Sequence, residues 1–119
     1  MRVAILVIVA TFSMIGSAAA QAGEQGVANF YSDTFEGKKT ASGEIYKKDG
    51  LTASHKKLPY GTKVKVTNVA NGKSVVVTVN DRMAKSNHAV IDVSRHAAEE
   101  LGFAGAAGGT AKVRLEVQK

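Results

Sequence analysis

The chain has no cysteine, no tryptophan, one proline, and only four Phe and three Tyr among its 119 residues. Without cysteine there is no thiol nucleophile, no disulfide to staple a small exported fold, and no sulfur on which a lipid anchor could be built. The stability of the domain must therefore come from its core. The lysines Lys38-Lys39, Lys47-Lys48 and Lys56-Lys57 stand in pairs with few aromatics between them. Nucleic-acid platforms interleave stacking rings with basic side chains, so no nucleic-acid partner is expected. Also missing are GxGxxG, a P-loop, HExxH and GxSxG, which leaves no cofactor motif. His55, His88 and His96 lack metal-ligand spacing, so no metal is expected either.

One hydrophobic run is present. Val3 to Ile15 is almost wholly apolar, follows Arg2, and gives way to Ser17-Ala18-Ala19-Ala20. It is shorter than the roughly 20 residues of a membrane-spanning helix. A basic start, an apolar centre and small residues at the end form a secretory signal peptide, with cleavage expected after Ala20. The expected organisation is a leader over 1–20, a flexible stretch over 21–25, and one domain over 26–119. Removing Arg2 leaves 15 basic against 10 acidic side chains, a net charge of +5. A basic protein outside the cytoplasm suits an anionic partner such as wall glycan. An exported product, periplasmic or secreted, with no stable membrane anchor after cleavage is expected.

Ser74 to Arg82, SVVVTVNDR, organises the rest of the chain. Val75, Val76, Val77 and Val79 mark a buried strand that ends in three polar residues, Asn80, Asp81 and Arg82. Such a strand sets a carboxylate at a sheet edge or barrel mouth, on a rigid support. Locally, Asp81 reads equally well as a turn cap paired with Arg82. Before this strand, Lys63 to Thr67 alternates with period two, placing Val64 and Val66 inward and Lys63, Lys65 and Thr67 toward water. Asn71-Gly72 supplies the positive-φ residues of a hairpin turn between the two strands.

A first strand is expected over Gly26–Tyr31, with Phe30 and Tyr31 on opposite faces. Ser32 to Gly43 reads as a loop, Glu44–Tyr46 as a short extended piece, and Leu51–Tyr60 as irregular, because Pro59 disfavours helix there. Val90–Val93 is a short strand. Ser94 caps a helix running to Leu101, which Gly102 ends. Gly105–Gly109 is a turn, and Thr110–Val117 alternates as a last strand. Five to seven short strands and one helix make the chain mainly β, most simply a small closed barrel without exposed edges.

Carboxylates are the remaining candidates for chemistry. Glu36, Glu99, Glu100 and Glu116 read as surface groups, and Asp92 as a residue helping to start the helix that Ser94 caps. Glu44, His55 and Asp81 differ. Each stands where an extended piece meets a loop, so a barrel could bring them to one mouth. A carboxylic acid there could protonate a glycosidic oxygen if burial or a second carboxylate raised its pKa. Tyr31 could stack on a sugar face.

Read together, GVANFYS, KKTASGEIY, LTASHKKLPYGTKVKVTNVANGKSVVVTVNDR, IDVSRHAAEELG and AKVRLEV resemble the RlpA-like (rare lipoprotein A) double-psi β-barrel family in order and spacing. The resemblance covers Gly26 to Val117. It implies a six-stranded double-psi barrel with one short helix. It also implies a lytic transglycosylase that cleaves the β-1,4 bond between N-acetylmuramic acid and N-acetylglucosamine in peptidoglycan, leaving a 1,6-anhydro end, with strands lacking stem peptides as the expected preference. On this resemblance Asp81, Glu44 and His55 fall on active-site positions, Asp81 as the acid, with Tyr31, Asn80 and Arg82 lining the cleft. A divisome or wall-targeting partner is implied as well. The alternative is a non-catalytic, expansin-like protein that binds and loosens wall glycan. Three departures stand out: Met83-Ala84 follows Asp81-Arg82 where the family has Gly-Pro, Asn29-Phe30-Tyr31-Ser32 replaces a Trp-Tyr-Gly form, and the lipid-bearing cysteine and C-terminal glycan-binding module are absent.

Overall fold

The computed structural model describes residues 23–105 and 109–119. The expected leader over 1–20 lies outside the described residues, as does the middle of the turn expected over 105–109. Six strands occur in the order β1 (Gln25–Phe30), β2 (Thr52–His55), β3 (Lys63–Asn68), β4 (Ser74–Arg82), β5 (Ile91–Val93) and β6 (Ala111–Val117). One helix, α1 (Arg95–Leu101), joins β5 to β6, and a single 3-10 turn covers Asp33–Phe35. The strands close into a barrel in the order β1-β5-β2-β4-β3-β6. Among the described residues no helix is long and apolar enough to cross a membrane.

Valine patterning builds the barrel's firmest part. β3 and β4 pair antiparallel from Lys63↔Thr78 to Thr67↔Ser74. Gly72, at φ 76°, makes the left-handed step that a side chain would resist. Val64, Val66, Val75, Val77 and Val79 point into the core with Val113 and Leu115 of β6. Two sequence expectations need correction here. Val76 is 41% exposed, because strict alternation turns it outward between two core valines. Thr67 is buried, although Lys65, two residues before it on the same strand, is exposed.

Helix α1 is set by its ends. Ser94 Oγ accepts from Ala97 N, and Gly102 closes the helix at φ 85° with its N–H on the carbonyls of Ala98 and Glu99. Ala97, Ala98 and Leu101 then enter the core, and the helix packs against β4. Asn68 and Asn71 both donate to the Leu101 carbonyl, tying the helix end to the β3–β4 turn.

Three further expectations shift. Thr52–His55, expected to be irregular, is the strand β2, parallel to β4 and antiparallel to β5. Its neighbours on both sides are distant in sequence. Glu44–Tyr46 contributes only a bridge, Lys39↔Ile45. Of the stretch expected to be flexible, 21–22 lie outside the described residues, and Glu24 and Gln25 are held by β6. Gln25 already pairs with Arg114, and the Glu24 carbonyl accepts from Leu115 N at 2.8 Å.

Candidate active site

The β2–β4 pairing breaks register at one place. Ala53 faces Val79, but Ser54 faces Asp81, so β4 carries one extra residue, Asn80. A bulge of this kind re-aims the side chains around it. Here it turns Asn80 toward Glu44, whose Oε1 accepts from Asn80 Nδ2 at 3.0 Å. It also sets Asp81 into a cleft of about 500 Å3.

Asp81 is held by three donors. Its Oδ1 accepts from Ala41 N at 2.8 Å and from Arg82 N at 2.9 Å, and its Oδ2 accepts from the Tyr31 hydroxyl at 2.5 Å. Ala41 belongs to the tight turn between Thr40 and Gly43, which Gly43 closes at φ 95°. That turn aims the Ala41 N–H at the carboxylate. Tyr31 is fixed by stacking on Tyr46, with centroids 4.4 Å apart and planes 10° from parallel. Tyr46 is in turn buried, and its hydroxyl accepts from Arg95 N, the first residue of α1. Burial first, then the hydrogen bond to Asp81 and its charge, push the Tyr31 phenol far above its ordinary value. It is therefore a fixed donor and not an acid for the reaction.

A second carboxylate lines the same cleft. Asp92 sits on β5 between the core residues Ile91 and Val93, with Asn29 of β1 on one side and Ser54 of β2 on the other. Its Oδ1 is buried with no hydrogen-bond partner among the described residues. Burial raises its pKa first and the charge of Asp81 second, against a lowering hydrogen bond from Asn29. Two acids in one cleft with unlike surroundings are the arrangement in which one keeps its proton while the other supplies charge.

The remaining sequence candidates are placed less centrally. Glu44 is exposed, beside Asn80 and outside the cleft lining. Arg82 lines the cleft, but its guanidinium donates to the carbonyls of His55 and Leu58 and lies 4.6 Å from the Tyr60 ring centre. It makes no ion pair with Asp81 among the described residues. His55 is only 3% exposed; its ring nitrogens meet Glu24 and the amides of Lys57 and Leu58, outside the cleft. The structure thus joins Asp81 to Tyr31, and Asn80 to Glu44, and leaves the His55 ring on another face.

Sequence reasoning missed Asp92 because Ser94, two residues on, offered a helix-start role for it. The available signal was its position as the one acid between two apolar residues of a short strand. It also missed Ala41, which acts through its backbone and carries no side-chain signature.

A family model described as lytic transglycolase matches residues 23–115. The chain is 50% identical over 95 residues to a probable endolytic peptidoglycan transglycosylase RlpA of Nostoc sp., covering 78% of this chain and 25% of that protein. It is 47% identical over 93 residues to the endolytic peptidoglycan transglycosylase RlpA of Neisseria meningitidis serogroup A, covering 78% and 38%. With the protein of the same name from Pseudomonas aeruginosa strain PAO1 it shares 50% over 91 residues, covering 76% and 26%. It therefore spans a quarter to two fifths of the length of these relatives. Among solved structures, Streptomyces papain inhibitor superposes with TM-score 0.62 at 19% identity, covering 82% of this chain and 97% of that one. The apo expansin of Clavibacter michiganensis superposes with TM-score 0.62 at 22% identity, covering 80% and 50%. At those identities the likeness is one of fold.

Proposed function

This chain belongs to the lytic transglycolase family of double-psi β-barrels, and from that premise we propose that it is an exported lytic transglycosylase of peptidoglycan. The named relatives are peptidoglycan transglycosylases, and the matched region contains the whole cleft. The bond cut is the β-1,4 link from N-acetylmuramic acid to N-acetylglucosamine, in strands without stem peptides. The observation that carries the reading is the placement in one cleft of Asp81, held by three donors, and Asp92, whose pKa burial raises.

The reaction needs one proton given and one taken back. Asp92 protonates the glycosidic oxygen as the bond to C1 breaks. The C6 hydroxyl of the same muramoyl unit attacks C1, and its proton returns to Asp92, so no water is consumed and a 1,6-anhydro end results. Asp81 faces the positive charge that grows at C1. We propose Asp92 for the proton-carrying role that the sequence resemblance gives to Asp81, because both oxygens of Asp81 are engaged and burial favours the protonated form of Asp92. Placed acid–base catalysis supplies about 10²–10⁴-fold in rate. Lys38 and Lys39 line the cleft and offer positive charge to lactyl carboxylates. Site of action is the wall, in the periplasm or after secretion, with a wall-targeting or divisome partner directing it. In the expansin-like alternative the same cleft would bind glycan without cutting it.

The test is digestion of purified glycan strands, with and without stem peptides, followed by mass spectrometry. Wild type is expected to yield 1,6-anhydro ends, faster from bare strands, with Asp92→Asn and Asp81→Asn each slower by at least about 100-fold. Hydrated reducing ends would make the protein a hydrolase. Binding without any product from wild type would leave the wall-loosening alternative.

A further inference from the structure

His55 is buried, and both of its ring nitrogens are committed. Nδ1 accepts from Lys57 N and from Leu58 N, each at 3.1 Å. An imidazole nitrogen that accepts carries no proton, so the proton sits on Nε2, which meets Glu24 Oε1 at 3.0 Å. Neither nitrogen reaches the cleft.

The ring closes the turn from Lys56 to Leu58, and that turn grips the end of β4. The carbonyls of Leu58 and His55 accept from Arg82 Nη1 at 2.8 Å and 3.1 Å, and the His55 carbonyl also takes Met83 N at 3.3 Å. Tyr60 packs on the guanidinium from the same loop. Arg82 and Met83 are the two residues after Asp81, and Arg82 N is itself one of the donors to the Asp81 carboxylate. On the other side, Glu24 ties the ring to the segment that pairs with Leu115 at the start of the barrel.

We infer that His55 is a positioning residue: through the Lys56–Leu58 turn and the Arg82 guanidinium it fixes the strand end that presents Asp81, and it moves no proton in the reaction. The inference rests on the transglycosylase reading for its kinetic arm only, because the turn itself is observable by amide exchange.

Two amides distinguish the roles. The Asn oxygen falls near the place of Nδ1, so His55→Asn keeps the acceptor for Lys57 and Leu58. The Gln terminus falls near Nε2, so His55→Gln keeps the Glu24 contact and loses that acceptor. In His55→Asn, kcat is expected within about threefold of wild type with an unchanged pH profile, and the Leu58 amide to exchange at the wild-type rate. In His55→Gln, the Leu58 amide is expected to exchange at least about tenfold faster and kcat to fall by about tenfold. Adding Arg82→Gln is expected to lower kcat no further, since both changes open one clamp. Equal and severe losses in folded His55→Asn and His55→Gln, or loss of one limb of the pH profile in His55→Asn, would make the imidazole a proton carrier and overturn the inference. So would unchanged Leu58 exchange in His55→Gln. If His55→Gln does not fold, the His55→Asn result decides alone. A wild type without anhydro product defeats the transglycosylase reading, and the exchange result still decides whether the clamp exists.

Discussion

The Tyr31 hydroxyl donates to Asp81 Oδ2 at 2.5 Å, joining the end of β1 to the end of β4, 50 residues away in sequence and not adjacent in the barrel. The contact spans the cleft and fixes the rotamer of the carboxylate. Tyr46 beneath and Phe35 at the edge hold the ring, so the donor does not depend on substrate for its position.

Tyr31→Phe removes that donor and keeps the stack. A hydrogen bond to a charged group is worth about 1.5–3 kcal/mol, so kcat/KM is expected to drop by at least about tenfold. Loss of the same bond is expected to lower Tm by roughly 10 °C, with the protein still fully folded at 25 °C. Steady-state kinetics beside a melting curve checks both. Unchanged kcat/KM at 25 °C beside a lowered melt would assign Tyr31 to stability alone.

Asp92→Asn is expected to stabilise the protein while inactivating it. Burial and the Asp81 charge raise the Asp92 pKa, so the folded state binds this proton more tightly than the unfolded chain does. Below the ordinary aspartate range both states are protonated and the wild type carries no penalty. As pH rises from that range to the raised folded value, ionisation increasingly favours unfolding, and above it the penalty stays constant. The variant should therefore melt higher than wild type at neutral pH, with the gap closing toward acid. Melting curves from pH 3 to pH 8 read this directly. A gap that is constant or reversed would mean that Asp92 holds no costly charge.

How much of this the chain discloses depends on how local each element is. The β3–β4 hairpin was legible because alternating valines and Asn71-Gly72 specify it within 20 residues. So was α1, whose two ends are written in Ser94 and Gly102. β2 was not, because TASH is short and precedes Pro59, and its partners β4 and β5 lie more than 20 residues on. The site followed the same division. Asp81 could be found at the end of its strand. Its pairing with Asp92 could not, since it arises only when β5 slots between β1 and β2. Nor could sequence show that Glu44 meets Asn80 and does not line the cleft, or that the His55 ring turns toward Glu24.

Ser94 tests the fold apart from the chemistry. It is fully buried, its Oγ caps α1 at Ala97 N, and the same hydroxyl donates to the Gly50 carbonyl at 2.6 Å. Ser94→Ala loses the cap and orphans that carbonyl, at about 2 kcal/mol together. In a domain of this size that lowers Tm by roughly 10 °C. Calorimetry should show this with activity at 25 °C within about twofold of wild type. A shift below about 2 °C would mean that the cap contributes little.

The titration of Asp92 is most directly read by carbon-13 NMR of the aspartate side-chain carboxyls, in wild type and in Asp81→Asn. The Asp92 midpoint is expected above the ordinary aspartate range in wild type and lower once the Asp81 charge is removed. A midpoint at or below the ordinary range, unmoved by Asp81→Asn, would contradict the assignment of Asp92 as the proton-bearing acid of the cleft.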